Sequence, residues 1–193
     1  MPAATDSRPP AASSAPTGIA LLGCGIIGSA VAEALLRETA LFRRRAGVSL
    51  QLRHVVGRTI DKARAAGVPA RLFSSDVNRA LNDPQTQVVV ELMGGLEPAR
   101  SYVLKALKAG KHVVTANKYL LAVHGREIFT AAKRHGVCVQ FEATCGGAIP
   151  IIGALTESLL ANDITRIVGI VNGTCNYILT QMTQNGQSYA DAL

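Results

Sequence analysis

The chain has 193 residues, of which 48% are hydrophobic and 4% aromatic, and its formal net charge is +7. This length and apolar content suffice to bury a core, whereas no apolar run approaches the roughly 18 residues that a membrane span needs. The scarcity of aromatic residues, with no Trp, argues against an aromatic stacking surface for nucleic acid.

The beginning of the chain is rich in Pro, Ala and Ser, which predicts a disordered tail over 1–17. This segment lacks the basic start and apolar core of a secretory signal, so we expect a cytoplasmic protein. The cysteines form no CxxC pair, and we expect free thiols in a reducing compartment. They are Cys24, Cys138, Cys145 and Cys175.

A glycine motif, GCGIIG at 23–28, follows a predicted strand at 18–22 and opens a predicted helix. This arrangement is typical of dinucleotide binding, because backbone N–H groups and the positive helix end can hold a pyrophosphate. Gly23 would permit the tight turn, Gly25 the close approach of the phosphates, and Gly28 the packing of helix against strand. The alternative is a glycine-rich turn that binds no ligand.

Strands and helices then alternate along the chain, which predicts an α/β fold with a doubly wound parallel sheet of the Rossmann type over 18–148. Further strands are predicted over 50–56, 87–92, 112–115 and 137–143. Helices are predicted over 28–41, 76–81 with Ser75 as the N-cap, 98–109 and 120–134.

A second domain is expected over 149–193, where the pattern changes to a helix at 150–161, a strand at 164–171 and a helix at 176–183. We expect it to be the beginning of an α+β substrate and dimerisation domain. The chain ends within a predicted helix, and we therefore expect a fragment.

The positive charge is concentrated between Arg37 and Arg64, where eight basic residues stand against two acidic ones, giving +6 of the +7. The strand 50–56 is followed by Arg58, with no acidic residue at its tip. An acid there would bind the ribose hydroxyl of NAD, whereas Arg accommodates the 2′-phosphate of NADP. We predict NADP(H), with NAD possible because Asp61 also lies within reach of the ribose. The alternative is that Arg58 is a solvated surface charge.

The other basic residues receive a different interpretation. The run 43–45, three arginines, is predicted to be a solvated helix end, where cations suit the helix dipole. Nucleic-acid binding is disfavoured, because we expect the basic region to coincide with the position of the 2′-phosphate.

Two further segments follow predicted strands, where ligands bind in open α/β sheets. Gly94 and Gly95 follow the strand 87–92 and would let the chain pass beside the nicotinamide ribose, or form a plain turn. Lys118 follows the strand 112–115 in the segment TANK, so its ammonium could face the same crevice, or be solvated as a lone Lys usually is. In the segment NGTCN, Gly173 could bring backbone N–H groups to substrate or cofactor, or Thr174 could simply cap a helix.

Together with the glycine motif, four segments closely resemble homoserine dehydrogenase in order and spacing. They are ELMGG (91–95), TANK (115–118), EATCGGAIPII (142–152) and GIVNGTCNYILTQM (169–182). Members of that family interconvert L-homoserine and L-aspartate 4-semialdehyde with NAD(P)H, on the route to threonine, methionine and isoleucine.

The resemblance implies roles for individual residues. Lys118 would be one of two catalytic lysines, which orients the reacting oxygen and stabilises its negative charge. A sodium site would be formed by backbone groups of Glu142, Cys145, Gly147 and Ile149. The residues expected to bind the cofactor are Gly23, Gly25, Ile26, Ile27, Gly28, Arg58, Gly94, Gly95, Thr115, Lys118 and Gly173.

The resemblance also implies what this chain lacks. The second catalytic lysine, the acidic residues that hold the amino group of homoserine and most of the dimer interface lie beyond residue 193 in the family. We therefore expect a homo-oligomeric full-length enzyme and a fragment with little or no turnover. Two alternatives are a non-catalytic NADP-binding module and an acylating semialdehyde dehydrogenase with Cys145 as nucleophile, which would need a nearby His base.

Overall fold

The computed structural model describes residues 15–170 and 172–193, which divide into two compact units, one ending at Gly147 and one running from Ala148 to Leu193. Most of the predicted tail, residues 1–14, lies outside the described residues. Thr17 already belongs to the first strand. No helix among the described residues is long and apolar enough to cross a membrane.

The first unit is built on a sheet of six parallel strands in the order β3-β2-β1-β4-β5-β6. The strands are β1 (Thr17–Leu22), β2 (Leu50–Val56), β3 (Phe73–Ser74), β4 (Val88–Glu91), β5 (His112–Thr115) and β6 (Val139–Gln140). This order confirms the predicted Rossmann-type sheet. The direction of winding reverses between β1 and β4, and in such sheets ligands bind beyond the carboxyl ends of the strands at that point.

Helices cover the sheet because successive side chains of a strand point to opposite faces. Ile19 and Leu21 of β1 join one apolar cluster with residues of α1 and α3, whereas Ala20 and Leu22 join a second cluster with residues of α4, α5 and α6. The helices of this unit are α1 (Ile26–Arg37), α2 (Thr39–Ala46), α3 (Asp61–Ala65), α4 (Val77–Leu81), α5 (Ala99–Lys108) and α6 (Lys118–His135).

Several boundaries differ from the prediction. The single helix predicted over 28–41 is two helices, because the backbone leaves the helical conformation at Glu38. The N-cap of α4 is Asp76 rather than Ser75, since the Asp76 carboxylate accepts the N–H of Asn78 at 2.9 Å. The last predicted strand shortens to β6, and a 3-10 turn, Glu142–Thr144, follows it.

The second unit is helical in its described part. Its helices are α7 (Ile151–Gly153), which continues into a π-helical turn (Ala154–Ser158), α8 (Gly173–Gln184) and α9 (Tyr189–Ala192). The strand predicted over 164–171 is wrong over 164–170, which carry no regular structure and are exposed, while residue 171 lies outside the described residues.

Candidate functional site

The glycine loop 23–28 lies at the carboxyl end of β1. Gly23 has a φ of +95°, and its N–H donates to the carbonyl of Val56 at 2.8 Å. A Cβ on Gly23 would come within 2.8–2.9 Å of backbone atoms of Leu92 and Met93. Both the left-handed conformation and this close approach require glycine, so the loop is fitted against the chain that leaves β4.

The other two glycines of the motif have opposite surroundings. A Cβ on Gly28 would overlap the carbonyl oxygen of Gly23, so the missing side chain lets α1 pack against the loop. Gly25, the N-cap of α1, has open space where its Cβ would lie. Ile26 and Ile27 in the first turn are exposed. The positive end of a 12-residue helix therefore faces open space, which is an arrangement that can hold an anion.

Two cations stand beside this loop. Arg58, just beyond β2, is exposed and forms no ion pair or hydrogen bond with the part of the chain that the structure describes. Lys62 of α3 lines a groove together with Gly25, Ile26 and Ser29 of the loop and α1. Unpaired cations next to a helix N-terminus are suited to a phosphate.

The basic region that was expected to coincide with the position of the 2′-phosphate is divided between the two edges of the sheet. Arg43, Arg44 and Arg45 form the exposed last turn of α2, which leads into the amino end of β2, whereas Arg58 follows its carboxyl end. A seven-residue strand spans roughly 20 Å between them. The three arginines are a solvated helix end, as predicted, but they lie at the opposite edge of the sheet from the glycine loop.

A second loop, 93–95, follows β4 and lies next to the first. Gly94 and Gly95 have φ values of +74° and +69°, are exposed, and have open space where a Cβ would lie. The loop is held by Glu91, whose side chain is fully buried. One oxygen of its carboxylate accepts the N–H groups of Met93 at 2.8 Å and Gly94 at 3.3 Å.

The hydrogen bonds continue from Glu91 to the end of β5. The hydroxyl of Thr115 donates to the other carboxylate oxygen of Glu91 at 2.6 Å and accepts the N–H of Asn117 at 3.0 Å. The Asn117 amide donates to the carbonyl of Gly95 at 2.7 Å, and its oxygen caps α6 by accepting the N–H of Leu120 at 3.1 Å. We call Glu91, Thr115 and Asn117 the relay.

Lys118 is the first residue of α6 and is exposed. Its ammonium has no ion-pair or hydrogen-bond partner within the described ranges. The relay places it at the same edge of the sheet as the glycine loop and the second loop. A free cation there can contact a bound molecule.

Sequence reasoning missed Glu91 and the two roles of Asn117. A glutamate that ends an apolar, buried strand was the available signal, because such residues are almost never buried without partners. Thr115 was predicted to bind cofactor. Its side chain is 1% exposed and its hydroxyl is used by Glu91 and Asn117, so that role stays a prediction for its backbone alone.

The residues predicted to bind sodium, 142–149, lie on both sides of the boundary between the two units. The carbonyl of Glu142 accepts the N–H of Cys145 at 3.4 Å, and that of Ile149 accepts the N–H of Ile151 at 2.9 Å. Gly147 is exposed. The described residues contain no group of three or more His, Cys, Asp or Glu that could hold a metal ion.

Cys145 lacks the setting of a nucleophile. Its sulfur accepts the Thr144 hydroxyl at 3.7 Å, and all four cysteines are free thiols. In the described part of the chain, the ring hydrogen bonds of histidine join His54 to Asp83 and His112 to Cys138, and none reaches Cys145. In the second unit, Gly173 is the exposed first residue of α8, which is capped by Asn172 rather than by Thr174.

The opposite, amino edge of the sheet carries a closed cluster around Asp83. Its carboxylate accepts hydrogen bonds from Arg53 and His54, each at 2.8 Å, and from the N–H of Gln85 at 2.9 Å. Burial alone would raise the pKa of Asp83, but these bonds outweigh it and hold the pKa well below its usual range.

Lys111 lies at the same edge and is 5% exposed. Its ammonium donates to the carbonyls of Asp83 at 2.8 Å and Thr86 at 2.7 Å. Burial lowers the pKa of Lys111. Each of these charges is held by a partner within the protein.

Two family models match the chain. Residues 23–142 match the NAD-binding domain of homoserine dehydrogenase, and residues 150–193 match the model described as homoserine dehydrogenase. The first match contains both loops, Arg58, the relay and Lys118, and the second contains Gly173.

Curated relatives and solved structures agree. Homoserine dehydrogenase from Synechocystis is 45% identical over 91% of this chain and 40% of its own length, and that from Neisseria gonorrhoeae is 44% identical over 92% and 41%.

The structure of a homoserine dehydrogenase from Thiobacillus denitrificans has a TM-score of 0.85 at 45% identity, over 93% of this chain and 41% of that one. A hyperthermophilic archaeal homoserine dehydrogenase in complex with NADPH has a TM-score of 0.76 at 27% identity, over 92% and 59%. The chain spans about two fifths of the length of the curated relatives.

Proposed function

The chain belongs to the homoserine dehydrogenase family, and from this premise we propose that it is the dinucleotide-binding part of an enzyme that interconverts L-homoserine and L-aspartate 4-semialdehyde with NADP(H). The observation that carries the proposal is the pair of open glycine loops at the point where the sheet reverses its winding.

The residues at this edge fit a phosphorylated dinucleotide. Gly25 leaves space for a pyrophosphate at the N-terminus of α1, with the N–H groups of Ile26 and Ile27 in the first turn beside it. Arg58 has a guanidinium without an internal partner and follows β2 with no acidic residue at the tip, which favours the 2′-phosphate of NADP(H). Gly94 and Gly95 offer open backbone to the nicotinamide half.

When bound, the nicotinamide supplies the site at which a hydride is accepted or donated. The task left to the chain is to orient the substrate and to stabilise charge on its oxygen. Lys118 is the residue we assign to that task, because its ammonium stands free at the start of α6, on the edge that carries both loops. A cation held there stabilises the oxygen as negative charge develops on it.

We also propose, on the family resemblance, a sodium site formed by backbone groups of Glu142, Cys145, Gly147 and Ile149. The backbone of this segment turns sharply, since Gly146 and Ala148 have φ values of +61° and +65°, and such turns redirect carbonyl oxygens. Carbonyl oxygens are the ligands that a hard cation prefers. No step of the reaction is assigned to this ion.

The remaining proposals concern the whole protein. We propose a cytoplasmic homo-oligomer that serves threonine, methionine and isoleucine biosynthesis. For the 193-residue chain alone we propose weak NADP(H) binding with little or no turnover, since residues 150–193 match the second family model and the chain spans about two fifths of its curated relatives. Homoserine-dependent formation of NADPH by the purified chain would contradict this last proposal.

Titration of the chain with NADPH and with NADH, followed by nicotinamide fluorescence, tests the cofactor assignment. The chain has no Trp, so the signal is the emission of the cofactor itself. We expect Arg58→Ala to weaken NADPH binding about tenfold or more and to change NADH binding by less than about twofold, because a charge-assisted phosphate contact is lost.

Arg45→Ala is the matched control, because it removes an equal charge from the opposite edge of the sheet. It should leave both affinities unchanged. An NADPH affinity that does not respond to Arg58→Ala would refute the assignment of Arg58, and failure of the parent chain to bind either cofactor would refute the dinucleotide site itself.

A further inference from the structure

The second loop, 93–95, is held on both sides by the relay. Its N–H groups at Met93 and Gly94 donate to Glu91, and its carbonyl at Gly95 accepts from Asn117. Three of its polar backbone groups are thus hydrogen-bonded to buried side chains, while the space where a Cβ of Gly94 or Gly95 would lie is open. A loop that is hydrogen-bonded to the protein on its buried side and open on its exposed side is a preformed surface for a ligand.

The same hydrogen bonds reach the start of α6. Thr115 has one hydroxyl proton, which it gives to Glu91, and its oxygen accepts the N–H of Asn117. Asn117 is also the N-cap that defines where α6 begins, one residue before Lys118. The position of Lys118 and the shape of the second loop therefore depend on one set of buried bonds.

We propose that Glu91 and Thr115 are positioning residues, which fix the second loop and the start of α6 relative to each other before the cofactor binds. This proposal rests on the proposed function, because it assigns the nicotinamide half of NADP(H) to the second loop. Neither side chain touches the ligand, since Glu91 is 0% and Thr115 is 1% exposed.

The burial of Glu91 is explained by its hydrogen bonds and not by apolar packing. A carboxylate in an apolar sheet is costly unless its oxygens are hydrogen-bonded, and here three donors meet it. Two of those donors belong to the loop itself. The bonds that compensate for burial of the charge are therefore the ones that shape the loop.

The experiment compares two ligands on one set of variants. NADPH occupies the whole site, whereas adenosine 2′,5′-bisphosphate carries the 2′-phosphate but no nicotinamide. We expect Thr115→Val, which keeps the shape and deletes the hydroxyl, to raise the Kd for NADPH about tenfold, or about 1.4 kcal/mol. The Kd for the bisphosphate, measured by calorimetry, should change by less than about twofold.

Thr115→Ser restores the hydroxyl and should return the NADPH affinity to within about twofold of the parent. Glu91→Gln is the second variant, because its amide has a single oxygen, so either Thr115 or the N–H groups of the loop lose their acceptor. It should follow Thr115→Val. Asp83→Asn, at the opposite edge, is the control that loses stability without changing the ratio of the two Kd values.

Equal weakening of both ligands by Thr115→Val would overturn the proposal, since the relay would then serve only general stability. Unchanged affinity for NADPH would overturn it as well. Amide hydrogen exchange of a peptide covering 92–97 gives a readout without ligand. Exchange should be faster in Thr115→Val than in the parent or Thr115→Ser, and equal rates would refute the relay even if failure to bind NADPH had already refuted the proposed function.

Discussion

The two edges of the sheet use buried charge for different purposes. At the amino edge, Asp83 is bound by Arg53 and His54, and Lys111 by two carbonyls. At the carboxyl edge Glu91 is just as well hydrogen-bonded, but Arg58, Lys62 and Lys118 have no partner in the part of the chain that the structure describes. Buried charge is common to both edges, and both carry exposed cations, since Arg43, Arg44 and Arg45 lie at the amino edge. The carboxyl edge differs because its free cations accompany glycine loops that leave open space.

The glycines show the same contrast. A Cβ on Gly18, near the amino edge, would overlap the carbonyl oxygen of Gln85, so protein fills the space that the side chain would take. At Gly25, Gly94 and Gly95 that space is empty. A glycine can therefore indicate a ligand site only where no protein atom fills the space that a Cβ would take.

The largest expected effect comes from the glycine loop, where the two kinds of glycine lie three residues apart. Gly28→Ala should lower the free energy of unfolding by about 3 kcal/mol, because its Cβ would overlap a backbone oxygen that cannot move freely. Urea denaturation followed by circular dichroism measures this loss, and NADPH binding should be lost with it.

Gly25→Ala is its counterpart. Its Cβ would enter open space at a negative φ of −81°, so stability should change by no more than about 1 kcal/mol. NADPH binding should still weaken at least about tenfold, because the methyl group occupies the space of the pyrophosphate. Normal NADPH affinity in Gly25→Ala would show that the phosphates do not lie on this loop.

At the amino edge we expect a substitution to reduce stability without changing NADPH binding. Asp83→Asn should lower the free energy of unfolding by about 2 kcal/mol, because Arg53 and His54 lose a charged acceptor in a half-buried site. NADPH affinity should not change. A weakened NADPH affinity in Asp83→Asn would contradict the expectation that only the carboxyl edge binds the cofactor.

The same carboxylate predicts a pH dependence. The pKa of Asp83 is lower in the folded than in the unfolded chain, so its contribution is complete above the ordinary Asp pKa of about 3.9 and is lost as the pH falls below it. The urea midpoint of the parent should therefore decline between about pH 5 and pH 2. Asp83→Asn should show a shallower decline, and parallel curves would contradict this origin.

The smallest effect concerns the N-cap of the short helix α4, which follows β3. Asp76→Ala removes the N-cap of α4 and should cost about 1 kcal/mol. Ser75→Ala, at the position the sequence pattern favoured, should change stability by less than about 0.3 kcal/mol. Both should bind NADPH normally, and a larger loss in Ser75→Ala would reverse the assignment of the cap.

The fold was predictable where the signal is local. β2 and β5 have the predicted bounds, because each contains a Val-Val pair that is followed by a glycine or polar residue, Gly57 after β2 and Thr115 at the end of β5. β3 was missed because two residues, Phe73–Ser74, carry no periodicity. The β-branched run at 164–170 forms no strand, because a strand needs a partner and the described residues offer none that pairs with it.

The candidate site, like the fold, was predictable where its residues belong to local sequence motifs. Motif spacing placed the glycine loop, Gly94, Gly95 and Lys118 at the ends of strands, and the sheet order brings those ends to one edge. It did not reveal that Thr115 faces inward or that Glu91 holds the loop, because both depend on which strands become neighbours. The sequence also did not show that Arg58 and the arginines at 43–45 lie at opposite edges of the sheet. They are close in the sequence, but the strand β2 separates them, and a count of charges along the sequence does not register that distance.

The contact between Gly23 and the backbone of Leu92 and Met93 limits how this protein can be re-engineered. The two loops fit each other as surfaces, so a glycine motif transplanted from another dinucleotide-binding protein would meet a β4 exit shaped for a different turn. Cofactor preference could be altered by exchanging Arg58 alone, because that residue stands outside the contact. The phosphate-binding motif, in contrast, has to be inherited or redesigned together with the segment that follows β4.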